Sequence, residues 1–323
     1  PENLNALSDT ADMVVALDRL QAMAPKVDSV SLVVAWFGND LRAGDCTIRP
    51  GVEVSEKTTS PKMWSVNGVS RAAAHLVSRD DQDRPVYGGT PADFAVVQAI
   101  KEMKARGLRV TFYPFILMDQ LEGNALPDPY SDAGTQPKLP WRGRITLAKA
   151  PGQAGSSDGT LSAHNEVAAF FGTVTAADFT IAGDQVIYTG PQEWSMSRFI
   201  LHYAALCKAA GGVEAFCIGT EMRGLTQIRG AGGSFPAVAA MVQLAADVRE
   251  ILGPGGKIGY AADWSEYFGY HPQDGSGDAY FHLDPLWSDA NIDFVGIDNY
   301  MPLSDWRAGD DHADAAFGAI YNL

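Results

Sequence analysis

Apolar residues fall along this chain in two rhythms. Met13, Leu17 and Leu20 recur at helical spacing across residues 8–24, behind Ser8 and Asp9, which suit a helix start, and Pro25 ends the run. Residues 28–38 (DSVSLVVAWFG) follow as a β-branched and aromatic stretch, the mark of a buried strand. The clearest helix spans Pro91–Gly107, with Thr90 as cap, Phe94, Val97, Ile100 and Met103 as its apolar stripe, and Gly107 as its stop. A strand at 108–119 comes next. Helices at Ser195–Ala210 and Phe235–Leu252, the second capped by Ser234 and stopped by Gly253, then alternate with strands at Val213–Glu221, Lys257–Trp264 and Ile292–Tyr300. Residues 72–78 (AAAHLVS) read as a short strand or a helix start; as a strand they bring the count to about six.

Near-continuous apolar strands separated by helices predict a parallel sheet in an α/β fold. Neither a G-x-G-x-x-G turn nor a G-x-x-x-x-G-K-[ST] loop opens a helix, so a (β/α)₈ TIM barrel is favoured over a doubly wound nucleotide-binding fold. The chain reads as one domain over residues 1–323, interrupted by a long insertion at 120–190. That insertion holds a short helix at His164–Phe171 and a hairpin at Phe179–Tyr188. Loops of this length inside a compact domain usually serve function.

Composition narrows the options. With 24 Lys+Arg against 39 Asp+Glu the formal charge is −15, and without a basic cluster this argues against nucleic acid and anionic membranes as partners. No apolar run reaches the length of a membrane span, and no signal peptide is visible at the N-terminus. Cys46, Cys207 and Cys217 lack metal or disulfide spacing, and the six histidines form no ligand pair, so no metal or cofactor is expected.

The acids carry the chemistry. Asp40, Asp119, Glu221, Asp263 and Asp298 each end a predicted strand, and in a barrel all such ends face one mouth. In VEAFCIGTE, alternation puts Ala215, Cys217, Gly219 and Glu221 on the inner face; likewise Gly259, Ala261 and Asp263, and Gly296, Asp298 and Tyr300, point inward. Several carboxylates without histidine or metal suit glycoside hydrolysis, in which one acid protonates the leaving oxygen and another attacks or activates water. Trp36, Trp264 and Tyr300 lie at strand ends, where rings can stack on sugars. Acids at strand ends also cap loops, and tryptophans also anchor cores.

The stretches VYGGTPADFAVVQAIKEMKARGLRVTFYPFILMD, AFCIGTEMRGLT and DFVGIDNYMPLSDW resemble the TIM-barrel domain of the phage-tail-like host-specificity protein of gene transfer agents, itself similar to retaining (β/α)₈ glycoside hydrolases. The resemblance implies Glu221 as general acid/base at the end of the fourth strand, with Thr220 where asparagine is usual. It implies a nucleophilic glutamate on a seventh strand, expected beyond residue 323 in a longer polypeptide, so that this piece alone is inactive; Asp298 or Glu266 is the alternative. Asp263, Asp298, Tyr300, Trp36, Trp264, Asp40 and Asp119 would bind substrate. The implied setting is a phage-like tail particle made in the bacterial cytoplasm, with an envelope or capsule glycan and other tail proteins as partners. A non-catalytic carbohydrate-binding module and a structural tail-tip domain are the rival expectations.

Overall fold

The computed structural model describes residues 8–301 and 304–319; Pro302 and Leu303 of the third motif lie outside them. Five parallel strands form one sheet in chain order: β1 (Ser29–Gly38), β2 (Arg109–Met118), β3 (Ala215–Thr220), β4 (Lys257–Asp263) and β5 (Phe294–Asp298). A two-residue strand, Ile48–Arg49, adds antiparallel pairing at the end of β1. Among the described residues β5 pairs on one side only.

Helix α1 (Asp12–Met23) leads into β1, α2 (Asp93–Ala105) joins β1 to β2, and α5 (Pro236–Leu252) joins β3 to β4. The insertion between β2 and β3 holds α3 (Leu161–Phe171), the hairpin Phe179–Ala182 and Gln185–Tyr188, and finally α4 (Met196–Ala209). The predicted helix and hairpin of the insertion are therefore present. Gly107 and Gly253 end their helices at φ +78° and +75°, a backbone region where glycine alone escapes a Cβ clash.

The core lies between the sheet and its helices. Alternation along β2 buries Val110, Phe112, Pro114, Ile116 and Met118 on the helix side and leaves Thr111, Tyr113, Phe115 and Leu117 half-buried on the concave side. Phe112 stacks on Phe216 of β3 (centroids 5.6 Å apart, 8° between planes) and on Tyr203 of α4.

Five sequence expectations are corrected here. The 72–78 strand shrinks to His75–Leu76, which pairs with Gly51–Val52 in a small separate sheet; β1 pairs with β2 directly along all ten residues. Glu221 thus follows the third, not the fourth, of the described parallel strands. Thr90 does not cap α2: its hydroxyl bonds to the Ala35 carbonyl and accepts from the Gly51 amide, tying the entry of α2 to the sheet. Ser234 likewise bonds to the Ala231 carbonyl and leaves α5 without a side-chain cap. Trp36 points to the helix side, where it packs on Trp194, Phe199 and His202 and donates its indole N–H to the Tyr203 hydroxyl. At 0% exposure it is a core residue and cannot stack on a ligand.

If Phe216 joins sheet to helices as its stack suggests, Phe216→Ala should cost about 3–5 kcal/mol of unfolding free energy, by transfer and cavity terms together. A urea melt with an unchanged m-value checks this.

Candidate active site

The chain leaves β3 through an irregularity. Cys217 pairs with Gly259 but Thr220 pairs with Ala261, so β3 carries one residue more than β4 over this span. The extra residue breaks the expected alternation. Gly219 lies against Met196 and Tyr260 on the helix side and does not line the interior. Glu221 still reaches the concave side, because its backbone is in the left-handed region at φ +49°. A non-glycine residue is held there only when its surroundings over-determine it. The restraints are visible: the Glu221 amide donates to the Ala261 carbonyl at 2.8 Å, and the Met222 amide donates to the Tyr260 hydroxyl at 2.8 Å.

Glu221 is 3% exposed at the wall of a cleft of about 520 Å³, lined also by Phe115, Trp141, Arg142, Asp263, Trp264 and Tyr300. Its Oε2 accepts from the Trp141 indole at 2.7 Å and forms an ion pair with Arg142 at 2.9 Å. The Arg142 guanidinium lies 3.6 Å above the Phe115 ring and donates through Nε to the Thr220 carbonyl and hydroxyl. No well-formed hydrogen bond reaches Glu221 Oε1, although Asp298 and Tyr300 stand close enough to share its charge. That oxygen is itself buried.

Asp298 projects from β5 to the Tyr113 hydroxyl of β2, which donates to it across the concave face. Burial lifts the Asp298 carboxyl above the ordinary aspartate range; the Tyr113 bond opposes this and the Glu221 charge adds to it. Tyr300 is pushed up to about 12, first by hydrogen bonding towards Glu221 and then by burial. Asp263 lines the cleft, with Oδ1 accepting from the Ser265 amide at 2.9 Å and from its hydroxyl. Trp264, 37% exposed, presents a ring at the rim.

Glu221, Asp263, Asp298, Tyr300 and Trp264 are thus brought together. Asp40 and Asp119 are not. Asp40 is spent on Arg42 and on Gln136, whose amide donates to it at 2.7 Å, fastening the insertion to the end of β1. Asp119 accepts from His75 at 2.6 Å and from the Ser78 amide; burial alone would raise its carboxyl, but these bonds hold it below the usual range. Glu266 is fully buried behind the site, bonded to Thr226, Tyr260 and the Asp263 amide, and so is out of reach of a substrate. Trp141 and Arg142 were not singled out from the sequence. They sit in a Gly/Pro-rich insertion without periodicity, and their signal was only the length of that insertion. Arg223, two residues after Glu221, makes no ion pair with it; Arg142 does.

Two outcomes follow. Arg142→Ala strands a buried carboxylate and should cost about 3–5 kcal/mol in a urea melt, most of it regained in the Arg142→Met, Glu221→Gln double variant, which removes both charges. Glu266 is pushed by burial from 4.5 to about 7, against the bonds from Thr226 and Tyr260. The folded state then holds a proton that the unfolded chain has released. The stabilisation is complete below about pH 4.5 and is lost as pH rises to about 7, by at most about 1.4 kcal/mol per pH unit. Glu266→Gln should remove that slope from the wild-type-minus-variant difference.

Comparison with known proteins adds the following. Solved structures similar to this chain include a GH113 β-1,4-mannanase (17% identity, TM-score 0.43, covering 92% of this chain and 59% of that one). Another is the GH113 β-mannanase from Alicyclobacillus acidocaldarius (17% identity, TM-score 0.44, covering 90% of this chain and 56% of that one). This chain therefore spans less than two thirds of their length. A search of the curated proteins finds no match. The stretch that holds β3 to β5, and with them Glu221, Asp263 and Asp298, matches over residues 194–322 the family model described as the GTA TIM-barrel-like domain, and the fold is TIM-barrel-like.

Proposed function

We propose that the chain is the glycoside-hydrolase domain of a phage-like tail or gene transfer agent protein, and that it cleaves a cell-envelope or capsule glycan alongside other tail proteins. The observation that carries this reading is a buried glutamate at a strand end, in the wall of a cleft flanked by the exposed rings of Trp141, Trp264 and Tyr300. Aromatic faces at a cleft rim suit the C–H faces of sugar rings, and carboxylates in its wall suit acid–base work on a glycosidic bond.

In this reading Glu221 gives a proton to the glycosidic oxygen as the bond from that oxygen to the anomeric carbon breaks. Asp298, whose carboxyl is raised beside it, stays beside Glu221 in the cleft without entering the proton cycle. A second carboxylate adds to the anomeric carbon, and water later displaces it while Glu221 takes up the water's proton. Asp298 does not suit the nucleophile's place. It stands close enough to Glu221 to share hydrogen bonding, whereas catalytic carboxylates in retaining enzymes lie about 5–5.5 Å apart to admit the sugar. Glu266 is excluded by burial. Asp263 is the described acid that shares the cleft, and a glutamate on a further strand of the whole protein is the other source.

A non-catalytic carbohydrate-binding role has one observation in its favour: Oε2 of Glu221 is already committed to Trp141 and Arg142, as in a purely structural ion pair. Glu221→Gln separates the two in the full-length protein. The catalytic reading expects hydrolysis of a β-linked envelope glycan to fall by about 10²–10⁴-fold with affinity nearly intact, and a substrate with an activated leaving group to be partly spared. A wild-type protein that binds oligosaccharide and releases no product would establish the binding role instead.

A further inference from the structure

Beside the catalytic cleft lies a second hollow of about 430 Å³, and Ser265 belongs to the walls of both. Tyr130, Arg223, Gln227, Tyr270 and His271 line it. In a chain of formal charge −15, no carboxylate lines this hollow among its described residues. The acids near its Tyr270 edge, Asp158 and Asp274, are both bound to Arg229, at 2.7 and 3.3 Å.

Arg223 is the fixed positive charge of the hollow. It is exposed, and among the described residues it has no carboxylate within ion-pair distance. Its neighbour Gly224 lets the backbone sit tightly against the insertion: a Cβ there would come within 2.8 Å of the Gly143 and Ile145 carbonyls and 2.9 Å of the Tyr130 hydroxyl. The arginine is thereby placed two residues after Glu221, on the hollow's side of the site. A guanidinium presents paired N–H donors that match a carboxylate, and the surrounding tyrosine, glutamine and serine groups suit sugar hydroxyls.

We infer that this hollow is a subsite for an acidic sugar of the glycan, with Arg223 binding the uronic acid carboxylate while the neighbouring unit enters the cleft at Glu221. The inference rests on the glycoside-hydrolase reading of that cleft and names its substrate class. A free arginine–carboxylate contact supplies about ten- to a hundred-fold in affinity.

Calorimetry on the Arg142→Met, Glu221→Gln chain, which leaves neither charge of the buried pair unmatched, tests it with two hexasaccharides, one of β-1,4-linked mannuronate and one of alternating glucuronate and N-acetylglucosamine, each beside its carboxyl-reduced neutral form. The expected result is that at least one acidic probe binds about ten-fold or more tightly than its reduced partner. Arg223→Gln, at an exposed and unpaired position, should bring the two forms to similar affinity and leave the neutral form unchanged. Equal binding of both forms, a preference that survives in Arg223→Gln, or no binding of any probe overturns the subsite. Failure of the catalytic reading shows separately, as hydrolysis that persists in Glu221→Gln while the Arg223-dependent preference remains.

Discussion

Arg142 and Glu221 meet with both side chains only 4% exposed, and a charge at that depth is tolerated only when its partner is in place. The glutamate comes from the end of a sheet strand and the arginine from a loop inserted between strands, so the site forms only when the insertion folds down onto the barrel mouth. Other contacts serve the same closure. Gln136 of the insertion bonds to Asp40 at the end of β1, the Trp141 indole bonds to Glu221, and Gly224 allows the loop after β3 to touch the turn at Gly143. The left-handed backbone of Glu221 is a local cost met by this enclosure, with the Tyr260 hydroxyl and the Ala261 carbonyl holding the amides on either side.

The electrostatics follow from the same contact. One guanidinium faces two acids, Glu221 and Asp298, and burial with the neighbouring Glu221 charge lifts the Asp298 carboxyl above the ordinary aspartate range. The strain and the perturbed titration coincide at one point, on the concave face at the strand ends, where such folds place their chemistry. Because Arg142 satisfies Glu221, Arg223 stays free, and the neighbouring hollow acquires a positive charge that the overall composition does not foretell.

The parallel strands were legible because their apolar runs are long and end in turn residues; the helices were legible from their stripes and glycine stops. Glu221, Asp263 and Asp298 were legible because strand ends in a barrel share a mouth. Trp36 was misread because Trp36 and Phe37 are both buried at the end of β1, one on each face, so pattern alone cannot say which side a ring takes. Gly219 was misread because a bulge shifts the alternation, and nothing in the residues of VEAFCIGTE marks where the extra one sits. Thr90 and Ser234 resemble caps, but Ala92 and Phe235 hold the cap positions, and the Thr90 hydroxyl accepts from the Gly51 amide instead. Asp40 and Asp119 obey the strand-end rule yet are consumed by Arg42 and His75. Trp141 and Arg142 were beyond reach, since a long irregular loop has no period from which a contact can be read.

The central claim is that Glu221 faces the scissile oxygen of a glycan held between aromatic walls. A crystal structure of the Glu221→Gln protein with a bound oligosaccharide tests this most directly. The account predicts a glycosidic oxygen within hydrogen-bonding distance of the side chain at 221, with sugar rings against Trp264 or Trp141. Sugar bound elsewhere, with Arg142 and residue 221 closed on each other and no ring in the cleft, would contradict it.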